Sequence, residues 1–186
     1  LKGQLNPHFL FNSLNNIYSL ALVQSEKVPE LILRLSDLMR HIIYESKENF
    51  IPLEKELGFV NNFIALQRIR VNEQVRITYE ITGEIPSARI APLLFEPFID
   101  NAFKHGMPHS GEPDFIQIRF DLTTHGALHL QVKNNYSEMY LQGKKPGIGI
   151  SNVKQRLNYL YTSSNYQLSV EKEKGIFDVQ LRLKLM

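Results

Sequence analysis

Three segments of this 186-residue chain hold side chains whose types and spacing could do chemistry. The first is Asn6-Pro7-His8-Phe9-Leu10-Phe11-Asn12. Asn before Pro predicts a helix start, with Asn6 as cap and Pro7 at the first helical position. If a helix also arrives from upstream, the same pair makes a bend. His8 then sits beside a backbone irregularity, with Asn12 one turn along on the same face. By itself His8 reads as a capping histidine or as a nucleophile, and the second role needs a phosphoryl or acyl donor elsewhere in the chain.

The second segment runs from Ile90 to Gly106. On a helical wheel Phe95, Phe98, Ile99, Ala102 and Phe103 share one face, while Glu96, Asp100, Asn101, Lys104 and His105 share the other. A solvated polar face explains most such patterns. Here Asn101 also offers an uncharged oxygen for Mg²⁺, and Lys104 and His105 suit phosphate oxygens. Magnesium keeps most of its waters and takes only one or two protein groups, so one Asn is chemically sufficient. The third segment runs from Pro146 to Leu157, with Gly147 and Gly149 ahead of a helix carrying Asn152 and Arg156. Backbone N–H groups and the positive helix end would converge there on an anion. It is neither a Rossmann fingerprint nor a P-loop.

Composition removes several other classes. There is no cysteine, so disulfides, thiol catalysis and zinc-thiolate sites are absent. Lys plus Arg is 21 against 19 for Asp plus Glu, a net charge of +2, which does not suit a groove built for nucleic acid. His41, His109, His125 and His129 lack metal-ligand spacing and read as surface or core residues. No apolar run approaches the ~20 residues of a membrane helix. A start at Leu1, inside a helical pattern, suggests a soluble piece of a longer protein.

The elements that must position these segments follow from periodicity. Leu10, Leu14, Ile17 and Ala21 are spaced 4-3-4, as are Leu31, Leu35, Leu38 and Ile42. Each set predicts a helix with one apolar seam, joined by a short connection at Ser25 to Pro29. Two helices cannot close a core alone, so a homodimeric four-helix bundle is expected. A third helix is expected after Pro52 on Leu53, Leu57, Val60 and Ile64. Strands are expected at 75–82, 115–123, 127–134, 166–172 and 176–185, with helices at 91–105 and about 150–161. The fold class is therefore α+β, helices first and then a mostly antiparallel sheet with helices packed on it. The division is expected near residue 72, giving regions 1–72 and 73–186.

Together, in this order, the three segments resemble the H, N and G boxes of sensor histidine kinases, most closely the LytS-like branch. That branch carries NPHFLFN and Asn-Ala-x-Lys-His-Gly. The resemblance spans nearly the whole chain. It implies a dimerising helical hairpin followed by a Bergerat-type ATP-binding sandwich. By the same resemblance His8 is the phosphorylated histidine and Asn101 the magnesium ligand. Lys104 and His105 face phosphates, and Gly147, Gly149 and Asn152 form a glycine box over bound ATP. Asn134 stands where the family has an Asp that accepts from the adenine amino group; its amide keeps an acceptor but loses the charge. Pro97 stands where hydrolytic relatives of the fold place a water-activating Glu, four residues before the metal Asn. The implied activity is Mg·ATP-dependent phosphorylation of His8 and transfer to an aspartate of a response regulator, of LytTR type. The implied setting is the cytoplasmic end of an inner-membrane sensor whose membrane segments lie upstream, with no direct contact to nucleic acid. Two other readings remain: a degenerate module that dimerises and holds nucleotide without transfer, and an ATPase or chaperone of the same superfamily, which Pro97 weakens.

Overall fold

A computed structural model of the chain describes residues 7–71, 74–105, 114–136 and 148–185. The expected Asn6 cap, the Gly106 helix end, the loop at 137–146, His109, Gly147 and the division at residue 72 lie outside the described residues.

Helices α1 (Pro7–Leu22) and α2 (Val28–Tyr44) form the expected hairpin. The inward stripe of α1 is shifted from the expected seam: Phe9, Ser13 and Ile17 are buried, while Leu14 and Ala21 are exposed. The cause is α3 (Leu53–Arg68), whose Phe63 stacks on Phe9 with ring centroids 4.6 Å apart and draws that face inward. The Leu14 side is left outward, together with Phe11, Tyr18 and Leu22. On α2, Leu31, Leu38 and His41 are buried, while Ile32, Leu33, Met39 and Ile43 are exposed. Helix α3 carries its expected seam in full, since Leu53, Leu57, Val60 and Ile64 are at most 3% exposed. It also buries Phe59, Phe63 and Leu66, so its apolar face is broad, with Glu54, Lys55, Gly58 and Asn61 on the exposed side, and it packs against both α2 and α4 (Glu96–His105).

The remaining elements make one sheet of five strands in the order β2-β4-β5-β7-β6. They are β2 (Arg76–Thr82), β4 (Phe115–Asp121), β5 (Ala127–Asn135), β6 (Tyr166–Glu173) and β7 (Ile176–Lys184). Only the β2–β4 pair is parallel. Period-two burial is clear on β5, where Leu128, Leu130, Val132 and Asn134 face inward. Helix α4 lies on β4 and β5, with α5 (Ile148–Leu160) beside it. A further two-residue pair, β1 (Ile51–Pro52) with β3 (Arg89–Ile90), ties the start of α3 to the segment ahead of α4. Sequence periodicity could not show it, because two residues carry no period. No helix among the described residues is long and apolar enough to cross a membrane.

Candidate nucleotide and phosphoacceptor site

Helix α4 starts at Glu96, later than the apolar pattern suggests. Residues 91–95 form an irregular, buried lead-in instead. Pro92 interrupts the backbone donors there, and Leu93 takes a left-handed φ of 55°. A buried segment without helical hydrogen bonds must find other partners. The Ala91 N–H donates to the Tyr161 hydroxyl at 2.9 Å, and the Leu93 and Leu94 N–H groups donate to the Glu56 carboxylate, each at 2.9 Å. The Arg156 guanidinium donates to the Leu93 carbonyl at 3.4 Å. Burial pushes the Tyr161 phenol up to about 12, so it stays a neutral acceptor. Tyr161→Phe strips the Ala91 N–H of its partner. Denaturant unfolding should show a loss of about 1–2 kcal/mol, the usual cost of a buried donor left unpaired.

From this lead-in α4 carries its two faces as the wheel placed them. Phe98, Ile99, Ala102 and Phe103 are buried, while Glu96, Asp100 and Asn101 are half-buried and Lys104 is exposed. Asp100 is engaged on both oxygens. Its Oδ1 accepts from buried Gln67 of α3 at 3.3 Å, and its Oδ2 pairs with Lys104 one turn along. Lys104 must therefore leave Asp100 to meet a phosphate. Glu96 is pushed up to about 8, first by burial and then by the charge of Asp100, while Lys104 pulls it down. It is mostly protonated at neutral pH. The His105 side chain is outside the described residues.

Asn134 lies at the end of β5, on the strand that α4 covers. It is fully buried; its Nδ2 donates to the Asn135 carbonyl at 2.8 Å, and its Oδ1 is buried without a hydrogen-bond partner. An orphan carbonyl oxygen is the group an adenine amino group needs. A neutral amide is also cheaper to bury there than a carboxylate. Helix α5 begins at Ile148, so Gly149 lies in its first turn, and Asn152 is exposed one turn on. With half-buried Asn101 on α4, the groups present fit Mg·ATP, Asn101 as the metal's oxygen ligand and Asn134 toward the base. No cluster of His, Asp or Glu suited to a metal occurs among the described residues. A single amide is the kind of ligand magnesium accepts.

His8 is exposed near the start of α1, and the Asn12 amide nitrogen lies 3.0 Å from its Nδ1 and 3.3 Å from its Nε2. Its neighbour Phe9 is clamped on α3. Helix α3 thus reaches the histidine segment through Phe63 and α4 through Gln67. Motif reading missed Glu56, Gln67 and Tyr161, which hold the lead-in backbone and the Asp100 side chain. Their one signal was a Glu and a Gln set on the apolar face of a helix.

A family model described as Histidine kinase matches residues 1–75. The chain is 29% identical over 170 residues to the Sensor protein LytS of Oceanobacillus iheyensis, covering 84% of this chain and 29% of that protein. It is 30% identical over 188 residues to the Sensor histidine kinase/phosphatase LytS of Staphylococcus aureus, covering 99% and 29%. The chain therefore spans about a third of the length of these relatives. In fold it is similar to the histidine kinase domain of the Erythrobacter litoralis EL346 blue-light activated histidine kinase. That match has a TM-score of 0.55 at 15% identity and covers 96% of this chain and 91% of the other. The family model over residues 1–75 and the similarity to LytS sensor proteins over most of the chain place it in the sensor histidine kinase family, in its LytS-like branch.

Proposed function

We propose that this chain is the catalytic end of a two-component sensor kinase that phosphorylates itself on His8 from Mg·ATP. The observation that carries the reading is the buried, unpartnered Asn134 Oδ1 on the strand beneath α4, whose polar face presents Asn101. Asn101 would hold the magnesium, which when bound would supply charge neutralisation at the phosphates. The protein's own part is positioning, which is most of phosphoryl-transfer catalysis. Asn12 holds the imidazole against α1, and its amide donor engages the ring lone pair. Turning that amide over sets its carbonyl on Nδ1–H and frees Nε2. The new bond joins Nε2 to the γ-phosphorus as the bond to the bridging oxygen breaks. ADP leaves with that electron pair, and the Nδ1 proton passes to water. Lys104, released from Asp100, and the backbone around Gly147 and Gly149 steady the phosphates. Pro97 offers no base for water, which suits transfer over hydrolysis.

The exposed apolar side chains Phe11, Leu14, Tyr18, Ile32, Leu33 and Ile43 fit a second copy of the hairpin, completing a four-helix bundle. The phosphoryl group then goes to an aspartate of a response regulator, for which a LytTR-type DNA-binding protein is the expected partner. Membrane anchoring comes from segments upstream of residue 1. The division into a hairpin region, 1–72, and an ATP region, 73–186, belongs to the same reading.

Incubation with ATP labelled in the γ-phosphate should give an acid-labile, base-stable phosphoprotein, while label in the α-phosphate should stay off the protein. Label from both positions, or none, contradicts the reading. The neutral Asn134 favours one other reading, a module that dimerises without transfer. Calorimetry run beside the labelling separates them, since Mg·ATP bound without any phosphoprotein formed supports the second.

A further inference from the structure

None of the three motifs contains Glu56, yet both of its carboxylate oxygens are engaged by backbone donors. It is fully buried on α3, and its two oxygens each take one backbone N–H, from Leu93 and from Leu94. Those two donors belong to the lead-in of α4, where Pro92 has no N–H and Leu93 is left-handed. Removing the carboxylate would orphan both donors together. A second element reaches the same group. His41 of α2 is 8% exposed, stacks on Phe59 with centroids 4.7 Å apart, and brings its Nε2 to 3.3 Å from Glu56 Oε2. That approach is an ion-pair distance outside hydrogen-bond alignment, and Nε2 has no hydrogen-bond partner. The Arg156 guanidinium, on the Leu93 carbonyl, adds its positive field. One carboxylate thus joins the hairpin to the backbone from which α4, and so Asn101, projects.

We propose that Glu56 is a positioning residue that sets the nucleotide helix, and that His41 makes its hold depend on where the hairpin helix α2 lies. The inference rests on α4 being the Mg·ATP helix. A carboxylate between two N–H groups admits little rotation, because tilting the lead-in lengthens one charge-assisted bond as it shortens the other. Movement of α2 past α3 changes the His41 contact on Oε2, the oxygen bound to Leu93, while leaving Oε1 and Leu94 alone. The joint therefore passes a shift of the hairpin to one end of α4. Merely structural roles for the two residues would change stability and leave binding and rate unmoved.

The test compares wild type, Glu56→Gln and His41→Phe in the whole chain. Glu56→Gln places an amide donor against a backbone donor; His41→Phe keeps the stack on Phe59 and removes the nitrogen. Three readouts apply: amide exchange at Leu93 and Leu94 without nucleotide, the Kd for Mg·ATP, and the phosphorylation rate at saturating ATP. For Glu56→Gln the expected result is exchange faster by about tenfold and a Kd raised about tenfold. For His41→Phe it is a Kd within about twofold of wild type and a saturated rate lower by about tenfold. Slow exchange retained in Glu56→Gln overturns the proposal whatever the protein does with ATP. So does an unchanged saturated rate in His41→Phe, which decides the matter if Glu56→Gln fails to fold. A wild type that neither binds ATP nor takes phosphate removes the kinase reading instead, and exchange at Leu93 and Leu94 then still decides whether Glu56 holds α4.

Discussion

Asn101→Ala is expected to lower phosphorylation by about 100-fold or more while leaving the fold intact. Magnesium draws most of its ligands from water and phosphate, so a single protein oxygen decides where the ion sits. Deleting that oxygen leaves the phosphates' charge uncompensated at the moment of transfer. The stability side is independent. Asn101 is half-buried in a helix, and Ala is the better helix former by about half a kcal/mol. Thermal unfolding should therefore show an equal or slightly higher midpoint beside a lost activity. Labelling assays at saturating Mg·ATP read the first, and calorimetry the second. Activity within about threefold of wild type would remove Asn101 from the metal's coordination.

Glu96→Gln should produce the largest change in how stability depends on pH. The folded protein holds the Glu96 proton up to about 8, whereas the unfolded chain releases it near the ordinary value of 4.5. Between those values the folded state binds more protons, so this residue's contribution to stability falls as pH rises and is lowest above 8. At 1.36 kcal/mol per unit, and allowing for partial exposure, the swing is roughly 2–4 kcal/mol. Gln keeps the shape of the protonated acid and cannot ionise. Below pH 5 the two proteins should unfold alike; at pH 9 the variant should melt higher by roughly 5–10 °C. Parallel melting curves across that range would show that Glu96 ionises at an ordinary pH in the folded protein.

The long elements were legible because period and length agree. The third helix kept its seam at Leu53, Leu57, Val60 and Ile64, and β5 its alternation from Leu128 to Asn134. The polar face of α4 was legible for the same reason. The face of α1 was not, because Leu10, Leu14, Ile17 and Ala21 make the more apolar set, while the set that begins at Phe9 contains Ser13 and Asn16. Tertiary packing of Phe9 on Phe63 made the choice. The lead-in at 91–95 read as helix, since Ala, Leu and Phe are compatible with one. Only the partners of its N–H groups, from residues 56 and 161, reveal otherwise. Such contacts have no local signature. Side chains that share one motif could be placed together from the sequence, whereas a distant carboxylate that holds the backbone leaves no mark in it.

The central claim is that His8 receives the phosphoryl group. Its most direct test is to label the protein with Mg·ATP, digest it at alkaline pH, and locate the phosphate by mass spectrometry in parallel with His8→Gln. One phosphate on the imidazole of His8, absent from the variant, is the predicted result. Phosphate on any other residue, or label that persists in His8→Gln, would contradict it.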